Sequence, residues 1–214
     1  MAYQIYNYCY KKYQFTKAGN SLGKLLLFDM VSYKHSRIES IKMAKVFLNR
    51  EIANGNINSI TNMAVYLYEN QDDKDYNYED IKRFFITSAS FGDQEGNYYL
   101  GKILFDEGQY EQAYKYIKYA ADIYFDSKCF ALLGKYYEIK EKYDDAISYY
   151  KRSLAGGYYD VAYDLALLYF NLEKFSGSRD SIYNGLGLNV LETNYNLLSE
   201  SVKKKADLFL NKKF

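Results

Sequence analysis

Proline and tryptophan are absent from the 214 residues, and there are only one histidine and two cysteines. Because proline interrupts helices more strongly than any other residue, its absence permits long helices throughout the chain. Cys9 and Cys129 lie far apart and have no CxxC spacing, which argues against a disulfide framework or a cysteine-based zinc site. We expect two packed, inert thiols and no metal site.

An excess of charge and a long apolar run are also missing. The chain has 28 basic and 27 acidic residues, a formal net charge of +1, so it has no strong positive field to attract nucleic acid or anionic lipid. The best apolar run, Leu25–Phe28, is too short to span a membrane, and no signal-peptide cleavage site follows it. We therefore expect a cytoplasmic protein that binds neither nucleic acid nor membranes.

Motifs for catalysis and cofactor binding are missing as well. The sole histidine is His35, and neither Gly-x-Ser-x-Gly nor His-Glu-x-x-His occurs. The segment Ala18–Lys24 is similar to a phosphate-binding loop, but Leu25 replaces the hydroxyl residue that would hold magnesium. Asp73–Asn77 begins like a calcium loop, but Tyr78 stands where a glycine is needed. No catalytic residue and no cofactor are predicted.

Tyrosine is abundant, since 28 tyrosines and 13 phenylalanines make the chain 19% aromatic. An AT-rich coding sequence favours tyrosine, lysine and asparagine together, and it explains this abundance without a binding role. Tyrosine content by itself therefore predicts no function.

A pattern of paired helices repeats from about Asn58 to Asn189. Apolar residues recur with a helical period in both halves of each unit. The predicted pairs are Ile60–Tyr68 with Tyr78–Gly92, Gly96–Phe105 with Tyr110–Ala121, Cys129–Tyr137 with Tyr143–Gly157, and Val161–Tyr169 with Phe175–Gly187.

Small and large residues alternate at fixed places in these units. Each first helix has one small residue at the same position: Ala64, Gly101, Gly134 and Ala166. The second helices have small residues at Ala113, Ala146 and Ser178, and large ones at Phe85, Ile117, Tyr150 and Ile182. Such alternation lets neighbouring helices interlock. Glycines at Gly92 and Gly157, and the pair Gly185 and Gly187, are interpreted as helix-ending positions.

These residues resemble tetratricopeptide repeats, and Glu79–Tyr99 and Asp144–Tyr169 resemble the Sel-like subclass in particular. In that family, small residues and glycine end the second helix before an alanine-rich first helix with Leu-Gly. Ser88–Gly92 followed by Tyr99–Gly101 is similar to this pattern. The resemblance covers residues 57–188 and departs from the family in lacking its proline and tryptophan. It implies an all-α, right-handed α-solenoid of stacked antiparallel helix pairs, with helical caps at both ends.

Three regions are predicted on this basis. Residues 1–56 form an N-terminal helical cap region, 57–188 form about four repeat pairs, and 189–214 form a C-terminal capping helix, because terminal units need a water-compatible outer face. The last helix of the N-terminal region should be Arg37–Ala53. Its predicted apolar stripe consists of Ile38, Ile41, Met43, Ala44, Val46, Phe47 and Leu48.

The first helices of such arrays line a concave groove, which is their default binding surface. Counting from the small positions predicts that this surface consists of Tyr68, Tyr98, Lys102, Phe105, Lys135, Glu138, Tyr163, Leu167 and Phe170. The aromatic rings would supply apolar contact area, and the lysines would favour acidic segments. Packing between adjacent units is an equally open role for several of the tyrosines.

The resemblance implies a non-catalytic protein–protein interaction module, an adaptor, regulator or inhibitor that binds a protein or peptide partner through the groove. The family's clamp for a C-terminal carboxylate is not expected, because its asparagine is replaced by Val65, Lys102, Lys135 and Leu167 in the four units. Alternatives are a toxin-neutralising immunity protein, a phage or bacterial regulator of one target, an enzyme using dispersed carboxylates, and a self-assembling array. The oligomeric state is left open.

Overall fold

The computed structural model describes residues 4, 7–8, 11, 16–28, 37–70, 76–176 and 182–213. Within these ranges all regular secondary structure is helical. The α-helices are α1 (Thr16–Leu27), α2 (Arg37–Ala53), α3 (Ile57–Glu69), α4 (Tyr78–Ser90), α5 (Gln94–Asp106), α6 (Tyr110–Tyr124), α7 (Ser127–Ile139), α8 (Tyr143–Ala155), α9 (Val161–Ser176), α10 (Ile182–Asn194) and α11 (Glu200–Lys213). A 3₁₀ turn, Tyr195–Leu197, precedes α11.

The chain divides into two compact units, Met1–Ile103 and Leu104–Phe214. Helix α5 begins in the first unit and ends in the second. The division predicted from the sequence, 1–56, 57–188 and 189–214, stays a prediction. In the described parts of the chain, no helix combines the length and the apolar character needed to cross a membrane.

In the first unit, α1 packs on α2, and α3 packs on α4. The core contains Leu22, Leu48 and Phe85, each fully buried. The segment Ala18–Lys24, with its glycines and lysine, lies inside α1 and therefore forms no loop around a phosphate. A Cβ at Gly23 would come within 3.0 Å of the Leu48 side chain, so this glycine lets α1 and α2 approach closely.

Helix α2 has the predicted bounds, Arg37–Ala53, but part of its predicted apolar stripe is wrong. Ala44 and Leu48 are buried, whereas Ile38 is 67% exposed and Val46 is 69% exposed. The buried face of α2 runs through Ser40, Ala44, Leu48 and Glu51, at spacings of four, four and three residues. Two polar residues therefore take positions on the core side, and two β-branched residues face water.

In the second unit, α6 packs on α7, α7 on α8, α8 on α9, and α9 on α10. One core cluster joins Tyr150 of α8 to Leu165 and Tyr169 of α9. A second cluster joins Phe170 of α9 to Leu191 of α10 and Ala206 of α11. The predicted fold class, an all-α array of stacked helix pairs, is confirmed.

Close packing is confirmed at four of the predicted small positions. Ala64, Ala166, Ala113 and Ala146 are completely buried, and the large residues Phe85, Ile117 and Tyr150 are buried as well. Gly92 and Gly157 end α4 and α8 with φ of 76° and 88°. There the amides of Asp93 and Tyr158 donate back to the carbonyls of Ser88 and Ser153, which closes a Schellman motif.

The fourth pair differs from the prediction. Phe175 still belongs to α9, which ends at Ser176, and α10 begins at Ile182 rather than at Phe175. Gly185 and Gly187, interpreted as helix-ending residues, lie inside α10. A Cβ at Gly187 would lie 2.9 Å from the Phe170 ring, so this glycine allows α10 to approach α9.

Cys129 is buried and free, as predicted. Burial raises the pKa of its thiol, which keeps it protonated and unreactive. Cys9, His35, Ser178 and the Ile182 side chain lie outside the residues that the structure describes, as does the start of the calcium-like segment at Asp73.

Candidate functional site

A cleft opens in the second unit between α7 and α9, with the end of α5 beside them. Its volume is about 460 Å³. The residues that line it are Phe105, Lys135, Glu138, Ile139, Tyr150, Asp164, Leu167 and Asn171. Since α5, α7 and α9 are first helices of their pairs, the cleft lies on the face that the repeat pattern predicted to bind.

Tyr150 of α8 lies at the buried end of this cleft. Its side chain is fully buried, and its hydroxyl donates a hydrogen bond of 2.8 Å to the Glu138 carboxylate. A Cβ at Gly134 would come within 3.0 Å of three atoms of the Tyr150 ring, so the glycine makes the room that the ring occupies. Burial and the neighbouring Glu138 carboxylate raise the pKa of Tyr150, which keeps its hydroxyl a hydrogen-bond donor.

The charged groups of the cleft are Lys135, Glu138 and Asp164. Lys135 Nζ lies 3.1 Å from Asp164 Oδ2, and both side chains are partly exposed. An ion pair of this kind contributes little to stability, but it neutralises the lysine. No cation of the described residues pairs with Glu138, which leaves the cleft with one uncompensated negative charge.

Four of the nine residues predicted for the groove line this cleft: Phe105, Lys135, Glu138 and Leu167. Tyr163 and Phe170 of α9 instead pack in the cluster formed with α10 and α11. Phe170 is 3% exposed, and its ring centroid lies 5.2 Å from that of Phe209. It is therefore not accessible to a partner.

The other three predicted residues form an aromatic group within the first unit. Lys102 Nζ donates a hydrogen bond of 2.9 Å to the Tyr68 hydroxyl. Tyr68 and Tyr98 both contact the ring of Tyr99 edge to face, at centroid distances of 5.4 and 5.0 Å. Tyr99 in turn stacks on the buried Phe85 at 5.0 Å. These tyrosines take the packing role that the sequence left open.

Sequence reasoning missed Ile139, Tyr150, Asp164 and Asn171 as cleft residues. On α9, Asp164, Leu167 and Asn171 are spaced by three and four residues, so they form one stripe of the helix. That spacing was a usable signal. Phe170, four positions after Ala166, was predicted as a groove residue, but it lies on the neighbouring stripe of α9. The expected preference for acidic segments relied on the charge of Lys135, which Asp164 neutralises in this cleft.

Among the described residues, no group of three or more histidine, cysteine, aspartate or glutamate side chains is arranged to hold a metal ion. A family model, anaphase-promoting complex, cyclosome, subunit 3, matches residues 81–153. No curated protein sequence matches the chain.

Several solved structures are similar in fold. A protective antigen present in uropathogenic Escherichia coli strains, which displays an SLR fold, superimposes on 90% of the chain with a TM-score of 0.59 and 18% identity, and the chain spans 44% of the antigen's length. The Sel1 repeat protein from Oxalobacter formigenes superimposes on 79% of the chain, and the match covers 70% of the Oxalobacter protein, with a TM-score of 0.61 and 17% identity. The tetratricopeptide-repeat protein YrrB, which has an unusual peptide-binding site, covers 97% of the chain and 98% of its own, with a TM-score of 0.57 and 14% identity.

The chain has a tetratricopeptide-like, Sel1 repeat fold. The resemblance predicted from the small positions and helix-ending glycines is thus confirmed. In this Sel1-like fold, the cleft is built by first helices, with a second-helix tyrosine at its buried end.

Proposed function

We propose that this Sel1-like repeat is a non-catalytic protein-interaction module, an adaptor, regulator or inhibitor that holds a segment of a partner protein in the cleft between α7 and α9. The observation that carries the proposal is the cleft itself, which combines apolar walls with polar groups on first helices. The similarity to tetratricopeptide and Sel1 repeats, a fold suited to protein interaction, supports it.

The size of the cleft suits a short peptide. Its stripe on α9 runs from Asp164 to Asn171, a distance of seven residue steps that rise about 10 Å along a helix. An extended chain advances about 3.3 Å per residue, so about three partner residues fit along this stripe. Phe105, Ile139 and Leu167 offer apolar contact, and Asn171 offers an exposed amide that can bond to a peptide backbone.

The titratable groups in the cleft are held by one another. Lys135 forms an ion pair with Asp164, and the Tyr150 hydroxyl donates a hydrogen bond to the Glu138 carboxylate. A nucleophile has to reach the reacting atom of its substrate, and the Tyr150 side chain is fully buried. Asp164 neutralises Lys135, and Glu138 presents its charge to a ligand.

The proposal is tested by selecting heptapeptides from a random phage-displayed library with the full chain as bait. Leu167→Asn places an uncharged polar group on the apolar wall and should abolish enrichment. Leu208→Asn is the matched control, because Leu208 of α11 is exposed and does not line the cleft. The proposal is supported if the wild type and the Leu208 control enrich the same consensus and the Leu167 variant does not. Equal enrichment by all three proteins, or none by the wild type, contradicts it.

A toxin-neutralising immunity protein, or a phage or bacterial regulator of a single target, is a specific form of the same proposal. Either would bind one partner through this cleft. The cytoplasmic location expected from the sequence also stays a prediction.

A further inference from the structure

We infer that the cleft between α7 and α9 selects a partner segment in which a basic side chain, lysine or arginine, follows or precedes a large apolar residue. This inference rests on the proposed function and names the chemistry of the segment that the cleft recognises. Three features of the cleft carry it: its net charge, the fixed position of Glu138, and its apolar walls.

The net charge is negative. Lys135 contributes one positive charge, and Glu138 and Asp164 contribute two negative ones. Lys135 and Asp164 cancel each other at 3.1 Å. The charge that remains belongs to Glu138, and in a partly desolvated cleft an anionic ligand group would be repelled while a cationic one would be attracted.

Glu138 is held in place before any ligand arrives. One carboxylate oxygen, Oε2, accepts the hydrogen bond from Tyr150 Oη, and no described residue donates to the other oxygen. Tyr150 cannot turn away freely, because its ring is fully buried against Gly134. A carboxylate fixed by a buried donor loses little freedom when it binds a cation, which favours a charge-assisted hydrogen bond.

The walls match the rest of a long basic side chain. Lysine and arginine have apolar stems of three or four methylene groups that pack along apolar surface while the charged head meets a polar group. Phe105, Ile139 and Leu167 provide that surface beside Glu138. The volume of about 460 Å³ leaves room for a second, apolar side chain next to the basic one.

The test uses the consensus of the phage selection and one measurement of affinity. Two capped peptides are made from the consensus, one with its basic residue and one with glutamine there, and their Kd values are measured by fluorescence anisotropy. Glu138→Gln keeps an acceptor for Tyr150 but removes the charge, and should weaken binding of the basic peptide about tenfold. Glu192→Gln, the same change at an exposed α10 position outside the cleft, should leave binding unchanged.

The outcomes separate this inference from the proposed function. A basic consensus, with the loss confined to Glu138→Gln and to the basic peptide, supports the inference. A consensus that is acidic or uncharged, yet sensitive to Leu167→Asn, overturns the basic preference and leaves the proposed function standing. Absence of any consensus overturns both. Binding of the basic peptide should also weaken as salt rises, and a salt-independent Kd contradicts the inference.

Discussion

Replacing Gly134 by alanine should destabilise the second unit, because the added methyl group would collide with the Tyr150 ring. The new Cβ would come within 3.0 Å of three atoms of the Tyr150 ring. The ring is fully buried, so it has to move against packed neighbours, and overpacking of this kind costs about 1–3 kcal/mol. Alanine also gains about 1 kcal/mol over glycine in a helix, which offsets part of that cost.

Gly185→Ala supplies the matched control. Gly185 also lies inside a helix, α10, but a Cβ there would meet nothing within 4 Å. It should therefore show the helix gain alone, a stabilisation of about 1 kcal/mol. The difference between the two variants isolates the overpacking term, about 1–3 kcal/mol.

Urea unfolding of both variants, followed by circular dichroism at matched m-values, measures this difference. Gly134→Ala should also weaken peptide binding, since a displaced Tyr150 releases Glu138. If both substitutions stabilised the protein equally, the close approach of α7 to Tyr150 would be refuted.

Three further predictions concern single side chains. Burial raises the pKa of the Glu51 carboxyl above its ordinary value of 4.5. Protonated Glu51 therefore adds to the free energy of unfolding below pH 4.5, and this contribution is lost as the pH rises through the pKa of Glu51 in the folded protein. Glu51→Gln should thus be more stable than the wild type at pH 7 by about 1 kcal/mol, and this advantage should disappear by about pH 4, as followed by thermal unfolding. Phe125 is 72% exposed and has φ of 52°, a left-handed conformation that costs a side-chain-bearing residue about 1–2 kcal/mol, so Phe125→Asn should raise the urea midpoint. Ser153 is buried and donates 2.7 Å to the Ser127 carbonyl, so Ser153→Ala should lose about 1 kcal/mol in the same assay.

Controls for these predictions come from the same chain. Phe91→Asn removes a similarly exposed ring at a φ of −91°, so it should not stabilise the protein. Ser148→Ala changes an exposed serine of α8 and should have little effect. A Glu51→Gln advantage that stayed constant from pH 4 to pH 7 would contradict the raised pKa of Glu51.

Most of the fold followed from local patterns. The helical period of the apolar residues placed α3 to α8 within a few residues of their observed bounds, and Gly92 and Gly157 marked real helix ends. The error in the fourth pair has a physical cause. A glycine can end a helix or admit a neighbouring one, and the sequence around Gly187 does not distinguish the two uses.

The cleft was predicted less completely than the fold. Phe105 and Leu167 were found because a repeat puts equivalent positions of its first helices on one surface. The pairing of Lys135 with Asp164 joins two different helices, so it depends on tertiary structure. For that reason the sequence alone did not reveal that the charge of Lys135 is neutralised.

The central claim is that the cleft between α7 and α9 binds a protein segment. Photo-cross-linking tests it most directly: the selected peptide carries a benzophenone in place of its apolar residue, and mass spectrometry locates its attachment to the full chain. Attachment at Phe105, Ile139, Leu167 or Asn171 is the predicted result. Attachment to α11, or to the first unit, would contradict the account.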